Sequence, residues 1–91
     1  MSIAVRVPTP LRSDCGGASE LSLSASSVRG ALAELEQRFP SLHRRVCDET
    51  GAVRRHVNLF VNTHNVRDLR GVDTALAAGD VLIILPAVSG G

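Results

Sequence analysis

The sequence predicts an α+β fold: a mixed sheet packed on one main helix. Three observations predict it. Two short alternating segments, Ile3–Val7 and Leu21–Ser24, precede the helical stretch, and further strand patterns follow it. The stretch from Val28 to Phe39 places apolar residues at Val28, Leu32, Leu35 and Phe39, which is one face of an α-helix. The final strand pattern, Val81–Leu85, is apolar at every position and so belongs in the middle of a sheet. This order is neither a β-meander nor a βαβαβ unit.

Each element has a local reason. Ile3, Val5 and Val7 alternate with Ala4 and Arg6, so the first strand turns Ile3, Val5 and Val7 inward. Pro8 and Pro10 end it, and 9–19 is expected to be a polar loop with turn freedom at Gly16-Gly17. Leu21 to Ser24 is the expected hairpin partner. Ser26 or Ser27 supplies a helix N-cap. Glu34 and Arg38 stand at i, i+4 in the favoured order on the outer side. Pro40 disfavours a helical Phe39 and stops the helix. Gly30 lowers helix propensity by about 1 kcal/mol relative to alanine, which a close approach of helix to sheet would explain. Ser41 to Cys47 reads as a short second helix, and Asp48 to Gly51 as a turn.

Val57, Leu59 and Val61 alternate with Asn58 and Phe60 in a central strand. Asn62 to Asn65 is a turn, with asparagine suited to a left-handed conformation. Val66-Arg67 reads as a very short strand. Leu69 to Ala78 reads as irregular, with Leu76 reaching the core. Gly79-Asp80 leads into the last strand. With Leu82 and Ile84 toward the helix, Ile83 and Leu85 point the other way, together with Phe60. One helix leaves that face bare. Phe60, Ile83 and Leu85 then form an exposed apolar patch suited to a partner, unless the 9–19 loop covers them.

Composition limits the function. Ninety-one residues make one domain with an ordinary apolar fraction of 44%, so disorder is not indicated. Phe39 and Phe60 are the sole aromatic residues, and the net charge is +1. Neither a base-stacking platform nor an electrostatic footprint for nucleic acid is present. All ten basic residues are arginine, so no side chain offers an acceptor amine for isopeptide chains built on the protein itself. Cys15 and Cys47 lie too far apart, with no paired histidines, for a metal or cluster site. Both are expected to be reduced and structurally incidental. His43, His56 and His64 suggest no ligand set, and the acidic residues show no hydrolytic pairing. No catalytic residue and no bound cofactor are therefore expected. The chain opens directly on a strand pattern without a signal or membrane-spanning run, and a cytoplasmic monomer without membrane contact is expected.

The end of the sequence is its most informative part. After Pro86 come Ala87, Val88, Ser89, Gly90 and Gly91. Glycine lacks a Cβ and passes through channels too narrow for other residues. Extended, residues 87–91 reach about 17 Å, enough to place a carboxylate inside a partner. The organisation expected is a domain over 1–86 and a flexible tail over 87–91.

Val61-Asn62 before a turn, Leu76 with Gly79-Asp80, Ile84-Leu85-Pro86 and Gly90-Gly91 together resemble the ThiS/MoaD family of ubiquitin-like β-grasp sulfur carriers. Pro8 to Arg12, Arg55 to Asn62 and Leu85 to Val88 resemble its CysO-like subgroup, which serves thiocarboxylate-dependent cysteine biosynthesis. Thr63 stands where a glycine is usual and Ser89 where alanine is commoner. The resemblance implies a β-grasp fold with four to five strands. It also implies that an E1-like adenylyltransferase and sulfurtransferase consumes ATP to convert the Gly91 carboxylate through an acyl-adenylate to a thiocarboxylate. Gly90, Ser89, Val88 and Ala87 would thread the partner's active site, and a second enzyme would take the sulfur into cysteine or a specialised metabolite. The protein itself would be a co-substrate. Alternatives within the resemblance are the small subunit of molybdopterin synthase and a protein modifier joined through Gly91. A β-grasp RNA- or effector-binding domain, with a dispensable tail, is a remoter one.

Overall fold

A computed structural model describes residues 2–87 of the chain. Val88, Ser89, Gly90 and Gly91, the residues expected to enter a partner, lie outside the described residues. Five strands form one mixed sheet: β1 Ile3–Arg6, β2 Glu20–Leu23, β3 Val57–Val61, β4 His64–Asn65 and β5 Val81–Pro86. Their spatial order is β2-β1-β5-β3-β4. β5 lies at the centre, parallel to β1 and antiparallel to β3. Its inward residues Leu82 and Ile84 fill the core, and its outward residues lie beside those of β1 and β3 on the opposite face. This is the β-grasp arrangement.

Helix α1, Val28–Arg38, packs on the inner face. Val28 and Leu35 are fully buried there with Val5, Leu59, Leu82 and Ile84. The hydroxyl of Ser27 accepts the N–H of Gly30 at 3.0 Å and caps the helix. A Cβ at Gly30 would come within 3.3 Å of that same hydroxyl oxygen. The expected reason, close approach to the sheet, is not what the glycine meets: the nearest atoms are that hydroxyl and the Ala25 Cβ at 3.7 Å. Arg38 pairs with Glu34 at 2.7 Å across one turn. Pro40 does end α1, and it also begins α2, Pro40–Val46, whose Leu42 and Val46 are fully buried.

Two local expectations are corrected. Residues 9–15 form a 3-10 helix, Thr9–Cys15, within the segment expected to be a polar loop. Proline sits in its first turn, where a fixed φ suits a helical start and no N–H is needed. Leu11 and Cys15 are buried from it, and Asp14 holds it to α2 through Ser41 at 2.7 Å and Arg45 at 3.2 Å. The segment therefore lies on the helix side and leaves the outer face of the sheet alone. The very short strand is His64–Asn65, two residues earlier than expected and inside the segment expected to be a turn, and Val66–Asp68 is a 3-10 turn. The Asn65 carboxamide oxygen accepts the N–H of Arg67 at 2.9 Å, and this side-chain bond selects the turn over a strand. Asn62 takes the left-handed conformation expected of it, with φ of 57°. The two thiols are free and buried, so both belong to the core and are not incidental to it.

Candidate docking face and the root of the tail

The bare face of the sheet is built by alternation. Leu59 and Val61 point inward, so Phe60 between them points outward. Leu82 and Ile84 point inward, so Ile83 and Leu85 point outward. The antiparallel register of β3 and β5 sets Phe60 directly opposite Ile83, and Asn58 opposite Leu85. Phe60 and Ile83 are half-buried, while Leu85 is 46% exposed. The structure brings the three predicted patch residues together on one face, with no described segment over it. Two further residues share the face. Val81 and Ala4 are register partners between β5 and β1, both half-buried. The alternation that marked Ile83 and Leu85 also marks Val81, two positions earlier.

A polar rim surrounds these apolar groups. The Arg6 guanidinium stands 3.8 Å from the Glu20 carboxylate on the β1–β2 side. On the β4 side, the Asn58 carboxamide oxygen accepts from Arg67 and, at 3.4 Å, from Asn65. An apolar centre with a hydrogen-bonded rim is the usual anatomy of a protein-docking patch.

The tail begins at one end of this face. β5 pairs with β3 as far as Pro86 opposite Val57, and the Ala87 N–H then donates to the His56 carbonyl. The ladder thus runs into the first residue expected to belong to the tail. At the other end of β5 the strand is fixed by a compact network. The Asn62 carboxamide accepts the Val81 N–H at 3.1 Å and donates to Asp80 at 3.2 Å. The Ala77 N–H donates to the same carboxylate at 2.9 Å. These bonds, the Ala77 N–H first and the Asn62 amide second, hold the Asp80 carboxyl below its ordinary pKa.

Elsewhere the titratable groups serve the fold. Burial, then the field of Asp48 and Glu36, pushes the Cys47 thiol up to about 11, against an opposing pull from Arg54. Such a thiol is a poor nucleophile. Among the described residues no group of three histidine, cysteine or carboxylate side chains could hold a metal ion. Among them, too, no helix is long and apolar enough to cross a membrane. A groove of about 530 Å³ lies between α1 and the segments around Gly51 and Gly71, away from Phe60, Ile83 and Leu85.

Comparison with known proteins agrees with this geometry. The family model described as the ThiS family matches residues 5–91. The sulfur carrier protein CysO of Mycobacterium tuberculosis is 38% identical over 93 residues, covering 100% of both chains. A chain in the crystal structure of the Amycolatopsis orientalis BexX/CysO complex superposes with a TM-score of 0.89 at 32% identity, over 98% of this chain and 99% of that one. The small archaeal modifier protein 1 of Methanosarcina acetivorans superposes with a TM-score of 0.84 at 32% identity, over 99% and 96% respectively.

Proposed function

The chain belongs to the ThiS family, and we propose from that premise that it is a sulfur carrier whose reacting group is the Gly91 carboxylate. The observation that carries this reading is full-length similarity to a named sulfur carrier, in a chain whose own sequence ends in Gly90-Gly91.

A carboxylate is a poor acyl donor, because its leaving group would be oxide. In the proposed route an E1-like enzyme joins the Gly91 carboxylate to the α-phosphate of ATP, and pyrophosphate leaves. The acyl-adenylate then has AMP as a good leaving group. Sulfide attacks the acyl carbon, AMP leaves and a thiocarboxylate remains. A sulfurtransferase persulfide would instead form an acyl disulfide with loss of AMP. A thiol must then reduce its S–S bond to release the same thiocarboxylate. That sulfur is anionic at neutral pH and needs no base from the carrier. It passes to a biosynthetic enzyme that makes cysteine or a specialised sulfur metabolite. The carrier contributes orientation: docking of Phe60, Ile83 and Leu85 on the enzyme makes sulfur delivery effectively intramolecular. Ala87 to Gly91 span the distance from the docked domain to the reaction centre.

The test is mass spectrometry of the intact chain after incubation with ATP, a sulfide source and an E1-like enzyme. The expected product is heavier by one sulfur-for-oxygen exchange and requires ATP. Persistent absence of that species with enzymes that load other ThiS-family chains would overturn the reading. The likeness to a small archaeal modifier protein favours one second reading, attachment through Gly91 to lysines of other proteins. A ladder of adducts in a lysate, lost when Gly91 is removed, would select it.

A further inference from the structure

The arginines are distributed unevenly in a way the docking patch does not use. Among the described residues, Arg6, Arg29, Arg38 and Arg45 each lie within 4 Å of a carboxylate. Arg12, Arg44, Arg54, Arg55, Arg67 and Arg70 have no such partner among those residues. Two of these six, Arg55 and Arg67, stand where the tail begins. The Arg54 Nε donates to the Arg44 carbonyl at 3.0 Å, and its backbone N–H donates to the Val46 carbonyl at 2.9 Å. Arg67 donates from one Nη to the Val57 carbonyl at 3.0 Å and to the Arg55 carbonyl at 3.4 Å. Between those two carbonyls stands that of His56, which receives the Ala87 N–H. The guanidinium group of Arg67 is thus positioned by neutral carbonyls, which orient a charge without cancelling it. The side chains of Arg44 and Arg55 are exposed.

Arg44 and Arg54 are offset by acids, since Glu36, Asp48 and Glu49 line one pocket with them. Arg55 and Arg67 lie outside that pocket. On the other side the cluster runs into the apolar patch, since Arg67 also donates to Asn58, the register partner of Leu85. Patch, cationic cluster and tail root therefore form one continuous surface. A net charge of +1 for the whole chain makes this a local field, not a general one.

We propose that Arg55 and Arg67 form a cationic collar at the root of the tail, which docks on an acidic protein rim at the mouth of the partner channel that receives residues 88–91. This rests on the carrier reading above and adds the charge of the surface that reads it. Guanidinium groups suit the position because they stay charged and match carboxylates in a fork. Complementary charge at a rim acts mainly on the rate and register of encounter. The collar thus guides the narrow tail into alignment before the apolar patch closes.

The test has two arms on the full chain. In the first, the isotopically labelled chain is titrated with a blocked hexaglutamate peptide and, separately, with hexauridylate, and amide shifts are mapped. The peptide is expected to move the amides of residues 55, 56, 67 and 87, and this effect should fade as salt rises. Shifts as large at Arg12 and Arg70 would overturn the collar, and tighter response to hexauridylate would assign it to nucleic acid instead. In the second, Arg55→Glu and Arg70→Glu, the same charge change at two exposed sites, are compared with an E1-like enzyme that activates the wild-type chain. Arg55→Glu is expected to raise the KM for the carrier roughly tenfold at low salt with kcat unchanged, while Arg70→Glu stays within about twofold. Equal behaviour of the two variants overturns the collar and leaves the carrier reading intact. A wild-type chain that no such enzyme activates, yet whose collar binds hexaglutamate, overturns the carrier reading and leaves the collar intact.

Discussion

Ile84 and Leu85 are adjacent in the chain and should differ sharply when each is cut to alanine. Ile84 is 1% exposed and packs in the core between sheet and α1. Its truncation removes buried methylenes and leaves a cavity, costing about 3 kcal/mol. For a chain of this size that is a drop of roughly 12–24 °C in melting temperature. It is also a large part of a total stability of about 5–14 kcal/mol. Leu85 is 46% exposed, so about half of its transfer free energy is at stake, on the order of 1 kcal/mol. The order reverses in docking. Leu85→Ala should raise the KM of an activating enzyme for the carrier by roughly tenfold, the effect of losing one well-placed apolar contact. Ile84→Ala, assayed well below its melting temperature, should leave that KM nearly unchanged. Thermal unfolding by circular dichroism and initial-rate kinetics read the two effects separately. Equal destabilisation by both variants would mean that the outer face is covered, and the reasoning from strand alternation would fail.

Other outcomes follow from the same geometry. Ser27→Ala removes the acceptor for the Gly30 N–H and should cost about 1 kcal/mol in urea unfolding; no change would show that the cap is redundant. Asp80 has a folded-state pKa below its ordinary 3.8, so its contribution is present above that value and is lost as pH falls through the lower one. Asp80→Asn should therefore narrow its stability deficit relative to wild type as the pH is taken from 7 to below 4, and a deficit independent of pH would contradict this. Cys47, with its thiol pushed up to about 11, should react with iodoacetamide at pH 8 far more slowly in the folded chain than in urea. Its raised value also predicts stability lost as pH climbs from 9 toward 11, and comparable labelling rates in the two states would refute the burial argument.

Much of the fold is legible because two periods carry it. The 3.6-residue repeat through Val28, Leu32 and Leu35 marks α1, and the two-residue repeat in β3 and β5 separates the core from the bare face. The docking patch is legible for the same reason, since Phe60, Ile83 and Leu85 are the odd members of inward-facing sets. Elements without a period are not legible. The 3-10 helix over Thr9–Cys15 turns every three residues for barely two turns, and its prolines and polar side chains resemble those of a loop. The turn at Val66–Asp68 is decided by a single bond from Arg67 to the Asn65 side chain, which no pattern announces. Gly30 shows a further limit: a Cβ there would meet Ser27 and Ala25 and not the sheet, a three-dimensional fact that no pattern announces. The proposed arginine collar is likewise split between the approach to β3 and the turn after β4, and only folding joins it to Ala87. Val88 to Gly91 lie outside the described residues, so their proposed role rests on sequence and family.

The most direct measurement compares sulfur delivery by the natural chain with delivery by a chain extended past Gly91 by residues that nothing removes. Isotopic sulfur appearing in product measures both under the same activating enzyme. The account predicts full transfer from the first and none from the second, although both fold and dock alike. Equal transfer from the blocked chain would show that the sulfur travels elsewhere on the protein, and the proposed role of its terminal acid group would be wrong.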